Sequence, residues 1–174
     1  MKKLLWFAVL IAVSMTVSCN KNYIKGTNIE ENDDTKAILK IFAHYVKGFK
    51  DKDPEIFLPF VSKKYYDTNG TDDPQDDVDY DRLVEILNSE QFKSLEKIDI
   101  VYILKDLKIE KKENTAKLLF YFEVRFKRIS KIPPEEDTGD NFFKSDGMTN
   151  HKISENNQMK LAKEDGSWMI ISGL

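Results

Sequence analysis

The chain has 174 residues, with 27 lysines and arginines against 30 aspartates and glutamates, for a formal net charge of −3. No strongly basic face stands out to offset phosphate charge, which argues against nucleic acid as a partner. The single cysteine, Cys19, excludes an internal disulfide and a multi-thiolate metal site.

The chain opens MKKLLWFAVLIAVSMTVSCN, in which Lys2 and Lys3 precede an apolar run from Leu4 to Val13. That is the layout of a secretory signal peptide. The run breaks at Ser14 and Thr16, short of the roughly 20 apolar residues a spanning helix needs, so residues 1–18 are expected to be cleaved. Thr16-Val17-Ser18-Cys19 resembles the lipobox of bacterial lipoproteins, with Thr16 where an aliphatic residue is usual. The resemblance implies that Cys19 becomes the first residue and carries acyl lipid such as palmitate. Several acyl chains anchor stably where one binds only marginally. An ordinary signal peptide followed by a stray cysteine is the alternative. Asn20, where aspartate is the usual retention signal, implies export to the outer membrane in a diderm envelope. Cleavage removes Lys2 and Lys3 and leaves 156 residues with 25 basic against 30 acidic side chains, a balance of −5. This is enough for one domain with its own core. With Cys19 lipidated, no thiol remains for nucleophilic chemistry.

Residues 19–34 are polar and aperiodic and read as a lipidated cysteine with a flexible tether, leaving 35–174 as the folded domain. Thr35 is a candidate cap for a helix running to about Lys50, whose Ile38, Ile41, Phe42, Tyr45 and Phe49 fall within about 60° of one direction. His44 lies about 120° from the centre of that face, at its boundary. Pro54 predicts the first turn of a second helix, PEIFLPFVSKKYY, with Phe57, Phe60 and Tyr65 as its large apolar groups. The stretch from Asp67 to Asp81, DTNGTDDPQDDVDYD, then places seven aspartates among fifteen residues. A third helix follows over DYDRLVEILNSEQFKSL, capped by Asp79 or Asp81, with Leu83, Ile86, Leu87 and Phe92 as its stripe.

From Ile98 the period becomes two. Ile98, Ile100, Tyr102 and Leu104 share a side, but Leu107 and Ile109 have the opposite parity, which predicts a bulge near Lys105-Asp106. In TAKLLFYFEVRFKRI, Leu118, Phe120, Phe122, Val124 and Phe126 alternate with Leu119, Tyr121, Glu123, Arg125 and Lys127, a half-buried strand. An irregular segment, 131–150, is either a lid or a hairpin tip. A strand then resumes over His151 to Lys163, and Glu164-Asp165-Gly166-Ser167 turns into the last strand, WMIIS.

Helices followed by long antiparallel strands make an α+β plan, with three N-terminal helices packed on a curved antiparallel sheet. The order of elements, the KDKDPEIFLPFVSKKYYD segment and the closing KLAKEDGSWMIIS resemble the nuclear-transport-factor-2-like (NTF2-like, SnoaL-like) superfamily over residues 35–174. A cystatin-like arrangement with fewer helices is related. The resemblance implies a cone-shaped fold, a short hairpin near the aspartate-rich loop and, in some members, a dehydratase or isomerase site built on an inward histidine or carboxylate.

Metal chemistry is weakly supported. Aligned as an EF-hand from Asp67, the loop puts Asp72 at the glycine position and Val78 at the glutamate position, so a solvated loop is expected and no metal is assigned. His44 and His151 lack metal-ligand spacing, and neither a nucleophile elbow nor a phosphate-cradling loop is present. No cofactor and no catalytic residue are assigned; Asp99 and Asp106 are the only candidates for an inward acid on the strands. The expected function is a non-catalytic, lipid-anchored envelope protein that binds a small apolar ligand or another envelope protein. Phe49, Phe57, Phe60, Tyr65, Phe120, Phe122 and Trp168 are the candidate ligand-binding residues, although aromatic burial alone gives Trp168 a sufficient role as the core anchor of the last strand. Leu119 and Tyr121 form a candidate homodimer face. The alternatives are a small enzyme acting on a hydrophobic substrate and a surface-interaction lipoprotein with a closed core.

Overall fold

Asn32, not Thr35, caps the first helix of the computed structural model, which describes residues 22–129 and 148–174, with side chains at 22–127 and 151–174. Its side chain accepts from the Thr35 amide at 2.9 Å while the Thr35 hydroxyl accepts from the Asn32 amide at 2.8 Å. This reciprocal box moves the start of the helix, α1 (Asp33–Asp51), three residues upstream of expectation. Residues 22–31, expected within the tether, turn back on themselves: the Ile24 amide donates to the Ile29 carbonyl at 2.9 Å, and Ile29 is buried. Cys19 and most of segment 131–150 lie outside the described residues; 148–150 begin a strand.

The predicted second helix is replaced by two 3-10 turns, Pro54–Ile56 and Leu58–Phe60. Pro59 has no amide proton to continue a helix, and in an α-helix its ring would clash with the carbonyl four residues before it. The segment is held instead by a parallel bridge from Val61 to Ile170 and by the Ser62 amide donating to the Ile170 carbonyl at 2.9 Å. A two-residue ladder, β1 (Tyr66–Asp67) with β2 (Val78–Asp79), brackets the aspartate-rich loop. It supplies the short hairpin that the fold resemblance called for. The third helix divides into α2 (Tyr80–Asn88), capped by Asp79, and α3 (Glu90–Lys93), capped by Ser89.

The chain ends in a four-stranded antiparallel meander in the order β3 (Leu95–Glu110), β4 (Thr115–Ile129), β5 (Met148–Glu164) and β6 (Ser167–Ser172). The register shifts between Leu104 and Asp106, where the parity slip predicted a bulge. The β5–β6 turn has positive φ at both Asp165 (48°) and Gly166 (84°), the signature of a type I′ hairpin. Helices on one face of this sheet give the α+β architecture.

Its core lies between α1 and the inner face of the sheet. Phe120 is fully buried and meets Phe42 edge-on at 4.8 Å; Tyr45 stacks on Phe122 at 6.5 Å. Among the described residues the buried core runs from Ile29 to Ile170, which gives this unit a core of its own.

Gly48 on α1 faces Phe57. A Cβ there would come within 2.5 Å of the Phe57 ring and 2.8 Å of the Asp53 carbonyl oxygen. Gly48→Ala gains about 1 kcal/mol of helix propensity but incurs an overpacking cost of about 1–3 kcal/mol. A net loss of about 1 kcal/mol is expected in urea unfolding, and an increase in stability would show that Phe57 yields freely.

At the far end of α1, the Asp34 carboxylate receives the Lys163 ammonium at 2.9 Å and the Trp168 indole N–H at 2.8 Å, tying the helix to the β5–β6 hairpin. These bonds, Lys163 first, hold Asp34 below the usual carboxylate range. A depressed folded-state pKa contributes stability above the unfolded value near 4, which is lost as pH falls through the folded value. The side chain is 31% exposed, so the screened contribution is about 1 kcal/mol or less. The gap in melting temperature between wild type and Asp34→Asn should therefore be full at pH 7 and shrink below about pH 4. A gap that stays constant to pH 2 would refute the assignment.

Candidate functional site

Beneath α1 the helix and the sheet diverge and leave a cavity of about 820 Å³. Tyr45 and Phe49 roof it, and Phe120, Phe122, Val124 and Phe126 of β4 form its floor. Ile153, Glu155 and Asn157 of β5 continue that floor, because the register sets them beside Val124, Phe122 and Phe120. The Asp67–Gly70 turn and the last residues, Gly173 and Leu174, close one side. Ile153, 42% exposed, and Glu155, also exposed, mark the mouth.

That closing side is fastened by a single carboxylate. Asp67 accepts from the Gly173 amide, and from the Ser172 and Tyr65 hydroxyls, each at 3.3 Å. The Tyr65 hydroxyl accepts in turn from the Leu174 amide at 3.1 Å. Gly173 has φ of 94°, and a Cβ there would fall 2.0 Å from the Gln158 carbonyl oxygen, so glycine is what lets the chain pass over β5.

Tyr45 is the chemically distinctive group. It is 6% exposed and borders the cavity, and its hydroxyl has no hydrogen-bond partner among the described residues. Burial above all, and then the nearby Glu155 carboxylate, raise its phenol far above the ordinary tyrosine range, so it stays neutral and can both donate and accept. Glu155 has no ion pair among the described residues. By contrast Glu123, on the outer face, is paired with Arg125 at 2.6 Å and Lys152 at 3.0 Å. His151, on the inner face, stacks on Phe126 at 5.1 Å.

Of the ligand-binding candidates read from sequence, Phe49, Phe120 and Phe122 come together in the cavity wall. Phe57 and Tyr65 are packed in the core, Phe60 sits against His44 at 4.9 Å, and Trp168 is buried with its N–H on Asp34. Leu119 and Tyr121 lie on the outer face, where Ile103 pairs with Tyr121; Leu119 also borders the cavity beside the bulged Lys105. Asp99 and Asp106, the expected candidates for an inward acid, are instead on the outer face, opposite Arg125 and Leu119. The bulge reverses the parity that would have turned Asp106 inward. Glu155 was missed, although parity carried back from the buried Leu161 and Met159 leads to it.

In the aspartate-rich loop the side chains bind the loop itself. Asp76 receives the Thr71 hydroxyl at 2.8 Å, Asp73 caps the Gln75 amide at 2.9 Å, and Asp77 takes the Tyr66 hydroxyl. No cluster of three or more metal-ligating side chains occurs among the described residues.

No protein-family profile and no curated protein matches the chain. Solved structures do. A ketosteroid isomerase-like protein from Erwinia carotovora atroseptica superposes with a TM-score of 0.57 at 17% identity, over 82% of this chain and 95% of that one. A protein with a cystatin-like fold from Caulobacter vibrioides gives 0.55 at 13%, over 82% and 87%. An NTF2-like protein from Cytophaga hutchinsonii gives 0.50 at 15%, over 82% and 96%. The domain therefore has the NTF2-like fold.

Proposed function

We propose that the protein is a lipid-anchored envelope lipoprotein whose NTF2-like domain binds a small, largely apolar molecule beneath α1, without catalysing its conversion. The cavity carries this reading. At about 820 Å³ it falls in the range of small-molecule sites, and its aromatic walls with a few convergent polar groups match their usual make-up. A protein held by a closed core alone has no use for such a space, which argues against the surface-interaction reading. Native mass spectrometry of residues 20–174, purified without detergent, tests the binding: a co-purified small molecule supports it, and a bare chain that takes up no added apolar ligand overturns it. The anchor is tested separately. Cys19→Ala is expected to release the protein from the membrane fraction, and continued sedimentation with membranes would refute lipid attachment.

A second reading, an enzyme acting on a hydrophobic substrate, draws on Glu155 and His151, since both lie on the inner face. General acid–base work gains from a group shielded from water, whereas Glu155 is exposed at the mouth. The binder reading is therefore preferred. Turnover of a bound ketone or alcohol that disappears in Glu155→Gln would reverse that preference.

The outer face bears Val101 and Ile103, 49% and 59% exposed, next to Tyr121 and Leu119. We propose that it pairs two domains sheet to sheet. Sedimentation equilibrium should give a dimer that Ile103→Lys converts to a monomer, and a monomeric wild type at high micromolar concentration would end the proposal.

A further inference from the structure

We infer that the ligand is an apolar amine, whose aromatic or aliphatic body lies on the Phe49, Phe122 and Phe126 rings and whose ammonium group meets Glu155 and the Tyr45 hydroxyl. The inference rests on the reading of the cavity as a binding site and adds the chemical class of its occupant.

Two independent observations point to it. The first is the Tyr45 hydroxyl, buried to 6% exposure, bordering the cavity and without a partner among the described residues. A buried polar group left unpaired is costly, so a ligand that supplies a hydrogen bond there recovers that cost. The second is the Glu155 carboxylate, set by the β4–β5 register on the inner face beside Phe122 and bordering the same space. No lysine or arginine pairs with it among the described residues.

Two lysines also border the cavity, but from the other parity of the sheet. Lys105 donates to the Asn156 side chain, and Asn156 and Lys160 take the outward register positions of β5, opposite Tyr121 and Lys117, whereas Glu155 is opposite Phe122. Asp67 is spent on the Gly173 amide and the Ser172 and Tyr65 hydroxyls.

The three ligand charges differ in what they leave unsatisfied. An anionic ligand would place its charge near Glu155, and like charges at short range repel. A neutral hydrocarbon would leave the buried phenol unpaired and make no use of Glu155. An ammonium donates to both oxygens at once, a charge-assisted arrangement with the carboxylate, and the phenylalanine ring faces add cation–π attraction.

The test uses three probes of one shape: 1-naphthylmethylamine, 1-naphthalenemethanol and 1-naphthoate, titrated by intrinsic naphthyl fluorescence into residues 20–174, wild type and Glu155→Gln. The amine should bind the wild type at least about tenfold more tightly than the alcohol or the acid, a difference of about 1.4 kcal/mol. Glu155→Gln should abolish that preference, bringing the amine down to the affinity of the alcohol. Because Glu155 is exposed, the substitution is not expected to disturb folding, and a melting curve checks this. Alcohol or acid binding as tight as amine binding would overturn the amine assignment and leave the cavity reading standing. So would an amine preference that survives Glu155→Gln, because the charge would then be recognised elsewhere. No binding of any probe at millimolar concentration would overturn both.

Discussion

Phe120→Ala is expected to destabilise the domain by about 3–5 kcal/mol, the range for removing a buried aromatic ring. Phe120 is fully buried at the centre of the floor, edge-on to Phe42 at 4.8 Å and to Phe122 at 6.2 Å. Truncation removes its transfer free energy and two aromatic contacts that add about 0.5–1.5 kcal/mol each. The void left behind sits under α1, whose long apolar face cannot collapse into it without leaving the sheet. For a domain of this size the loss corresponds to a fall in melting temperature of the order of 10 °C. Phe126→Ala is the control. Phe126 is only partly buried, at the mouth against His151, and its removal enlarges an open space rather than creating a closed one, so about 1 kcal/mol is expected. Urea unfolding with unchanged slope would separate the two. A loss under 1 kcal/mol at Phe120 would mean that α1 is not seated on β4 as described.

The difference between those two positions is also a difference in legibility. The β4 alternation was plain because one face of that strand is covered by α1 and the other is open, the condition under which period two appears in a sequence. The α1 face was plain for the same reason. The register slip near Lys105 could be read because apolar residues flank it on both sides. Less could be read where the local signal was weak. Residues 54–65 have a helical spacing of apolar groups, but Pro59 settles the backbone, and Phe57 is buried between two 3-10 turns and Tyr65 beyond them. The β1–β2 pair has two residues per strand, too few for any period to emerge. The N-terminal cap depends on a reciprocal pair of hydrogen bonds, and in a polar run Asn32 carries no local mark that sets it apart.

The site was harder to read than the fold because its walls break the pattern that reveals a strand. On β5 the inward positions run Leu161, Met159, Asn157, Glu155, Ile153. Two polar residues interrupt an apolar series at the place where the sheet leaves the helix and the cavity begins. The fastening of the rim is also invisible to local reading, since Asp67 meets Ser172 and Gly173 across more than a hundred residues. In both cases the informative residues look, in sequence, like ordinary surface.

Tyr45→Phe should separate the cost of the cavity from its use. In the unliganded domain the Tyr45 hydroxyl is buried without a partner among the described residues, and an unsatisfied buried group costs about 1–3 kcal/mol. The ring itself is well held, edge-on to Phe57 at 5.6 Å and stacked on Phe122 at 6.5 Å, and phenylalanine keeps those contacts. Removing one oxygen is therefore expected to stabilise the domain by about 1–2 kcal/mol, and at the same time to weaken the polar ligand group that the hydroxyl meets by roughly tenfold, the worth of one good hydrogen bond in a dry site. Thermal unfolding and ligand titration on the same variant provide the two readouts. Opposite signs are the mark of a group retained for binding at the expense of stability. A destabilised Tyr45→Phe would instead place a bound water or a protein acceptor on the hydroxyl and make Tyr45 a structural residue. A stabilised variant with unchanged affinity would move the polar end of the ligand away from α1 and leave Glu155 as its only anchor.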